Sequence, residues 1–180
     1  MKITSGDYKY RKLEVPSDIR PTTEKVREAI FSMIVMNLPE ANVLDLFAGS
    51  GAFGLEALSR GAARCFFNDF SKRNFAVLKK NVEYCLAQEK SIMFNYDFRK
   101  CLSIINDKLD IVFIDPPYVK AYNCGWYMEI MTLLQDYNIL NRGAIVVVEH
   151  LYKQRLEKSY GSLSRYKDKR YGSIGVDIYT

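Results

Sequence analysis

The segment Asp115-Pro116-Pro117-Tyr118 directly follows the apolar run Leu109–Ile114, and its residue types suit one kind of chemistry. Two consecutive prolines hold φ near −65° and remove two N–H donors, so the loop is stiff and its carbonyls point outward to accept. The Asp115 carboxylate and the Pro116 carbonyl together can take both hydrogens of a planar exocyclic amine. Tyr118 offers a flat face for the ring that bears that amine. Such an amine is a poor nucleophile because its lone pair is delocalised into the ring. Accepting its hydrogens returns electron density to nitrogen, and alignment beside a strong electrophile supplies the remaining drive.

A second motif lies upstream: Asp45-Leu46-Phe47-Ala48-Gly49-Ser50-Gly51-Ala52-Phe53-Gly54. It contains G-x-G-x-x-G, the pattern of a ligand approaching the backbone at a helix amino terminus. Asp45 narrows the choice of ligand. A dinucleotide would set its doubly negative pyrophosphate against this turn, where a carboxylate repels it, whereas a ligand with an ammonium group is attracted. The amino acid half of S-adenosylmethionine carries such an ammonium beside a methyl sulfonium, itself a strong electrophile. Phe47, Ala48, Gly49, Ser50 and Gly51 form the expected contact loop. A nucleoside in the same crevice needs an acceptor for its ribose about 20 residues after the glycines, where Asn68-Asp69 stands. Asp97, at the end of the next predicted strand, is placed to accept from an adenine amino group. The carboxyl ends of strands in an open α/β sheet line one crevice, so these groups converge.

Positioning them requires alternating strands and helices, and the periodicity predicts both. Strands are expected at 42–47, 64–68, 91–96, 109–114 and 143–149. Helices are expected at 53–60, 71–87, 98–106 and 125–136. Phe75, Leu78, Val82 and Leu86 form the buried stripe of the second helix, with Lys72, Arg73, Lys79, Lys80 and Glu83 on its wet face. Before the first strand, Pro21-Thr22-Thr23 starts a helix with Glu24 in its first turn and Val26, Ile30, Met33 and Ile34 facing the core. Residues 3–19 read as a short basic β-hairpin or arm. Near the end, segments 163–169 and 173–179 flank a Tyr-Gly break and predict an antiparallel hairpin. The pattern is that of one domain over residues 1–180, with 1–21 as the arm and 22–180 as the catalytic core.

In order, LDLFAGSGAFGLEALSRGA, VFIDPPY and a late YGSIGVDIY resemble a class I S-adenosylmethionine-dependent amino methyltransferase. With IRPTTEKVREAIF, nearly the whole chain is similar to the bacterial ribosomal RNA small-subunit guanine-N2 methyltransferase family (RsmD type). The resemblance implies an α/β, Rossmann-like, seven-stranded and mostly parallel sheet with an antiparallel last strand. Helices cover both faces, and an N-terminal hairpin and helix extend it. It implies S-adenosylmethionine as cofactor and an N2-methylated guanine in 16S ribosomal RNA as product. Carried over residue by residue, Asp45, Gly49 and Gly51 hold the amino acid part of the cofactor, Asp97 the adenine, and Asp115 to Tyr118 the target base. Where the family usually has a ribose-binding glutamate, this chain has Asn68, so either Asn68 or Asp69 takes that role. The Asp-Pro-Pro-Tyr motif is shared with adenine-N6 and protein glutamine methyltransferases. It therefore specifies the reaction type and leaves the substrate open.

Composition bears on the partner. The 180 residues are 48% hydrophobic and carry a net charge of +5. That charge is uneven: Met1 to Ile30 holds 7 basic and 5 acidic residues, Leu151 to Thr180 holds 7 and 3, and the middle 12 and 13. Basic residues interleaved with Tyr8, Tyr10, Tyr166 and Tyr171 are the combination for phosphates and unpaired bases. Arg11, Lys12, Arg20, Thr22 and Arg27 are the expected RNA contacts, with Lys167, Lys169 and Arg170 at the other end. No apolar run approaches the ~18 residues of a membrane span, and Met1 to Lys12 lacks the apolar block of a secretion signal. The expectation is a cytoplasmic monomer acting on 16S ribosomal RNA, alone or in an assembled small subunit, with no membrane partner. Cys65, Cys85, Cys101 and Cys124 form no C-x-x-C pair, so with His150 alone they predict reduced, mostly buried thiols and no metal site. His150 is expected to be a surface or packed side chain.

Overall fold

A computed structural model of the chain describes residues 1–17 and 23–180. Eight strands form one sheet: β1 (Asn42–Asp45), β2 (Arg64–Asn68), β3 (Ser91–Phe94), β4 (Leu109–Ile114), β5 (Leu140–Leu151), β6 (Ser159–Tyr160), β7 (Leu163–Tyr171) and β8 (Ile174–Tyr179). Their order across the sheet is β3-β2-β1-β4-β5-β8-β7-β6. β1 to β5 are mutually parallel and β8 runs antiparallel to both β5 and β7. The expected count of seven strands needs correction to eight. The addition is β6, a two-residue strand that pairs with β7 at Ser159 and Tyr160 and is too short to leave a period in the sequence.

The helices are α1 (Glu24–Met33), α2 (Ala52–Ser59), α3 (Lys72–Tyr84), α4 (Phe98–Ile104), α5 (Tyr118–Asn123) and α6 (Trp126–Asp136). Strand side chains alternate between two helix layers, as the period of two requires. Val43, Ile111, Phe113, Val147 and Ile178 pack with α1, α2 and α3, while Leu44, Val112, Ile114 and Val148 pack with α4, α5 and α6. Each such buried side chain contributes about 1.5–3 kcal/mol, so one set of strands holds both layers. Thr23 caps α1 through its side chain, and Ser71 caps α3, each accepting from the N–H three residues on. Among the described residues no helix is long and apolar enough to cross a membrane.

The N-terminal segment is not a free hairpin. Its pairing is one antiparallel bridge, Lys2 with Lys12, and the residues between are mostly turns. Ile3 and Leu13 are buried, and Glu56 of α2 accepts from Thr4 N (2.9 Å), Thr4 Oγ1 (2.7 Å) and Ser5 N (3.1 Å). Cys65, Cys85 and Cys101 are buried, Cys124 is exposed, and all four are unbridged. His150 is packed: its Nδ1 lies 2.9 Å from the Leu151 carbonyl oxygen and its Nε2 3.5 Å from Asp177, which also takes Arg165 at 2.7 Å.

Candidate active site

β1 and β4 are neighbours from which the chain winds outward in opposite directions, and an α/β sheet opens a crevice at such a switch point. A cavity of about 590 Å³ occupies it. Its walls include Phe47, Ala48, Gly49 and Ser50 after β1, Asn68 and Asp69 at the end of β2, Asp97 after β3, and Asp115, Pro116, Pro117 and Tyr118 after β4. Eleven of the thirteen residues expected to bind cofactor or target therefore share one cavity. Asp45 and Gly51 are not among its lining residues.

The wall after β1 and β2 is built of hydrogen bonds already made. Asp69 Oδ2 accepts from Gly49 N at 2.8 Å, its Oδ1 accepts from Ser71 N at 2.8 Å, and Asn74 Nδ2 donates to it at 3.2 Å. Asn68 Nδ2 donates to the Leu46 carbonyl (3.2 Å) and its Oδ1 accepts from Tyr96 N (3.2 Å). Carboxylate and amide oxygens have lone pairs beyond these, so both residues retain capacity for a ribose hydroxyl. Asp97 caps α4, its Oδ1 accepting from Arg99 N at 3.0 Å.

Asp45 sits behind this wall. It is 2% exposed, and its Oδ2 accepts from Gly54 N at 3.0 Å, fixing the first turn of α2. Burial pushes its carboxyl up to about 7; the Gly54 hydrogen bond opposes this and the charges of Asp115 and Asp69 add to it. Gly51 has φ +83°, where an L side chain is strained. At Gly54 an added Cβ would lie 2.2 Å from the Phe67 ring and 2.5 Å from Cys65 Sγ, so the last glycine permits close helix-to-strand packing.

The wall after β4 is different. Pro117 precedes α5, and its carbonyl accepts from Ala121 N at 2.9 Å, which ties the double proline into a helix start. The Tyr118 hydroxyl donates to the Glu149 carboxylate at the far end of β5. Burial, then the nearby Asp115 and Glu149 charges, holds that hydroxyl far above its ordinary range, so it remains a protonated donor. Beside it stands an aromatic group that sequence reasoning covered only through Phe47. Trp126 stacks on Phe47 (centroids 6.1 Å, planes 10° apart), Phe98 lies 5.3 Å from Trp126, and Lys120 Nζ is 5.1 Å above the Trp126 ring. These four side chains line the cavity and offer planar faces and a cation. The available signal was position: Phe98 follows Asp97, and Trp126 opens α6, the second helix after the Asp-Pro-Pro segment.

The expected RNA contacts are more scattered. Lys12 is exposed, whereas Arg11 is partly buried, with Nη1 donating to the Tyr84 carbonyl at 2.9 Å and its guanidinium 5.3 Å from the Tyr8 ring. Arg20 and Thr22 lie outside the described residues. Arg27 departs from the expectation of a surface phosphate contact. It is 0% exposed, ion-paired to Glu56 at 3.5 Å, and borders the cavity instead. On an amphipathic helix its position falls four residues before Phe31, on the inward face, and the charge of its side chain masked that placement.

A family described as "Conserved hypothetical protein 95" matches residues 1–180. Ribosomal RNA small subunit methyltransferase D of Escherichia coli K12 is 33% identical over 181 residues, 99% of this chain and 89% of that protein. YlbH of Bacillus subtilis is 33% identical over 184 residues, 99% of this chain and 98% of that protein. The solved structure of the Escherichia coli protein yhhF superposes with a TM-score of 0.88 at 33% identity, covering 99% of this chain and 96% of that one. The Rossmann-like sheet, the shared glycine and Asp-Pro-Pro-Tyr cavity and these matches over the whole chain agree: the protein belongs to the ribosomal RNA small subunit methyltransferase D family.

Proposed function

We propose that the protein transfers a methyl group from S-adenosylmethionine to the N2 amine of a guanine in 16S ribosomal RNA. The observation that carries the reading is the convergence of the Asp115-Pro116-Pro117-Tyr118 loop and the glycine loop on one cavity. The donor set fits that cofactor. Burial holds the Asp45 carboxyl near 7, with the charges of Asp115 and Asp69 adding to it, so a cation placed near these groups is favoured. The backbone of Ala48 to Ser50 lets a ligand lie against the main chain, and Asn68, Asp69 and Asp97 provide acceptors for ribose and adenine. When bound, the cofactor supplies a methyl group on a sulfonium.

The chain's own residues then act on the target base. Asp115 accepts hydrogen from the exocyclic amine and raises electron density on its nitrogen, with the Pro116 carbonyl as the second acceptor. Tyr118 stacks on the base, its ring angle held by the Glu149 carboxylate. Positioning and polarisation of this kind are the larger part of the rate. Lys12 and the cations of β7 reach RNA phosphates, while Lys120 at the cavity steers the strand that carries the target. The protein acts as a single catalytic domain, a monomer in the cytoplasm, on free RNA or on an assembled small subunit.

The test is methyl transfer from labelled cofactor to three substrates: small ribosomal subunits stripped of modification, duplex DNA, and release-factor protein. Label in 16S RNA, mapped by mass to N2-methylguanine, is the expected result. Label confined to adenine in DNA or to a glutamine side chain overturns the substrate and keeps the chemistry.

A further inference from the structure

Arg27 presents a problem that Glu56 does not solve. A buried guanidinium offers five N–H donors and needs acceptors for them. Here Nη2 donates to the Lys2 carbonyl, while Nε and Nη1 have no hydrogen-bond partner although both are buried. Glu56 Oε2, which accepts from Thr4 N, lies 3.5 Å from Nε, an ion pair without a hydrogen bond. Burial accordingly lowers the affinity of Arg27 for its proton, with Glu56 opposing. An unpaired buried donor on a charged group is among the more costly features a fold can retain.

The placement says what would complete it. Arg27 borders the cavity together with Met1, Ser50, Ala52 and Phe53, on the side of the glycine loop and the start of α2. Asp69, Asp97 and Asp115 also line the cavity, Lys120 borders it beside Trp126, and Glu56 pairs with Arg27. Arg27 and carboxylates thus border one cavity, a combination complementary to an amino acid zwitterion. An RNA phosphate on the surface fits less well, since Arg27 is fully buried and the open space it borders is the cavity.

Resting on the cofactor reading above, we infer that the Arg27 guanidinium binds the α-carboxylate of the cofactor's amino acid end. Its Nη1 and Nε face that carboxylate, while the ammonium points to the acidic side. Direct contact requires a small displacement of a neighbouring side chain. Met1, flexible and unbranched, lines the same wall next to Lys2, which Arg27 already holds. Arg27 would then bind cofactor rather than RNA.

Calorimetry with S-adenosylmethionine and decarboxylated S-adenosylmethionine, which differ by the carboxylate alone, tests this without a variant. The wild-type protein should bind the intact molecule about 10–100-fold more tightly, the range of a charge-assisted hydrogen-bonded pair. Arg27→Met should abolish that preference while leaving affinity for the decarboxylated molecule nearly unchanged. Arg27→Lys, which keeps the charge that Glu56 needs, should retain part of it and covers the case in which the methionine variant does not fold. Equal binding of the two molecules by the wild type, or an undiminished preference in a folded Arg27 variant, overturns the inference. Binding of neither molecule by the wild type would overturn the cofactor reading itself, a different outcome from losing the preference alone.

Discussion

The two walls of the cavity are made differently. After β1 and β2, the polar groups are engaged with the backbone: Asp69 holds Gly49, Asn68 bridges Leu46 and Tyr96, and Asp45 holds Gly54. After β4, rigidity comes from covalent restriction at Pro116 and Pro117 and from the side-chain hydrogen bonding of Tyr118 with Glu149 and Asp115. The first wall spends its side chains on shaping main chain, which then offers a fixed surface to a ligand. The second keeps its loop stiff by ring closure, which fixes where the Asp115 carboxylate and the Tyr118 ring stand on the cavity. A wall that binds and a wall that reacts should therefore fail in separable ways.

The largest effect is expected on the reacting wall. Asp115→Ala should lower kcat by about 10²–10³-fold, as loss of one preorganised polar group at a reacting centre does. Cofactor affinity measured by calorimetry should stay nearly constant; a parallel fall in both would erase the distinction between the walls. On the binding wall, Asp69→Ala leaves the Gly49 and Ser71 N–H groups without their acceptor and should cost about 1–3 kcal/mol of stability. Chemical denaturation reads that cost, and cofactor affinity should fall with it while kcat at saturation changes little.

A pH dependence sharpens the contrast further. The Asp45 carboxyl holds its proton up to about 7 in the folded protein against 3.8 in an unfolded chain. Between these values the native state binds more protons than the unfolded state, so this group's contribution to stability is fully present below about 3.8 and is lost as pH rises through 7. Asp45→Asn keeps an oxygen for Gly54 N and has no proton to lose. Its melting temperature relative to wild type should rise from pH 4 to pH 7 and level off above, by roughly 2–4 °C for each kcal/mol recovered. A constant difference across that range would mean that Asp45 is not the titrating group.

Much of this was legible in the sequence, for identifiable reasons. β2 and β4 begin and end where their apolar runs do, because strands buried on both faces read as continuous hydrophobic segments. β5 extends beyond the predicted 143–149 to Leu140–Leu151, since its first turns carry exposed Asn141 and Arg142 and resemble a loop. α5 leaves no signal in the sequence: six residues after a double proline are too few to show a helical period. The glycine and Asp-Pro-Pro-Tyr motifs were visible because local chain geometry dictates their residue types. Arg27, Phe98 and Trp126 join the cavity through tertiary packing, which no local pattern encodes. The basic N-terminus shows the same limit, since a count of charges does not reveal that one cation is sealed inside and another is turned onto Tyr84.

The attachment of the first residues to Glu56 also bears on how the chain is made. Thr4 and Ser5 find their acceptor about fifty positions later, on α2, across separations of 52 and 51 residues. At synthesis rates of about 5–20 residues per second, that partner does not exist until roughly 3–10 s after Thr4 and Ser5 are made. Thr4 and Ser5 thus wait for their acceptor, and they close over the buried charge of α2 only once that helix has formed.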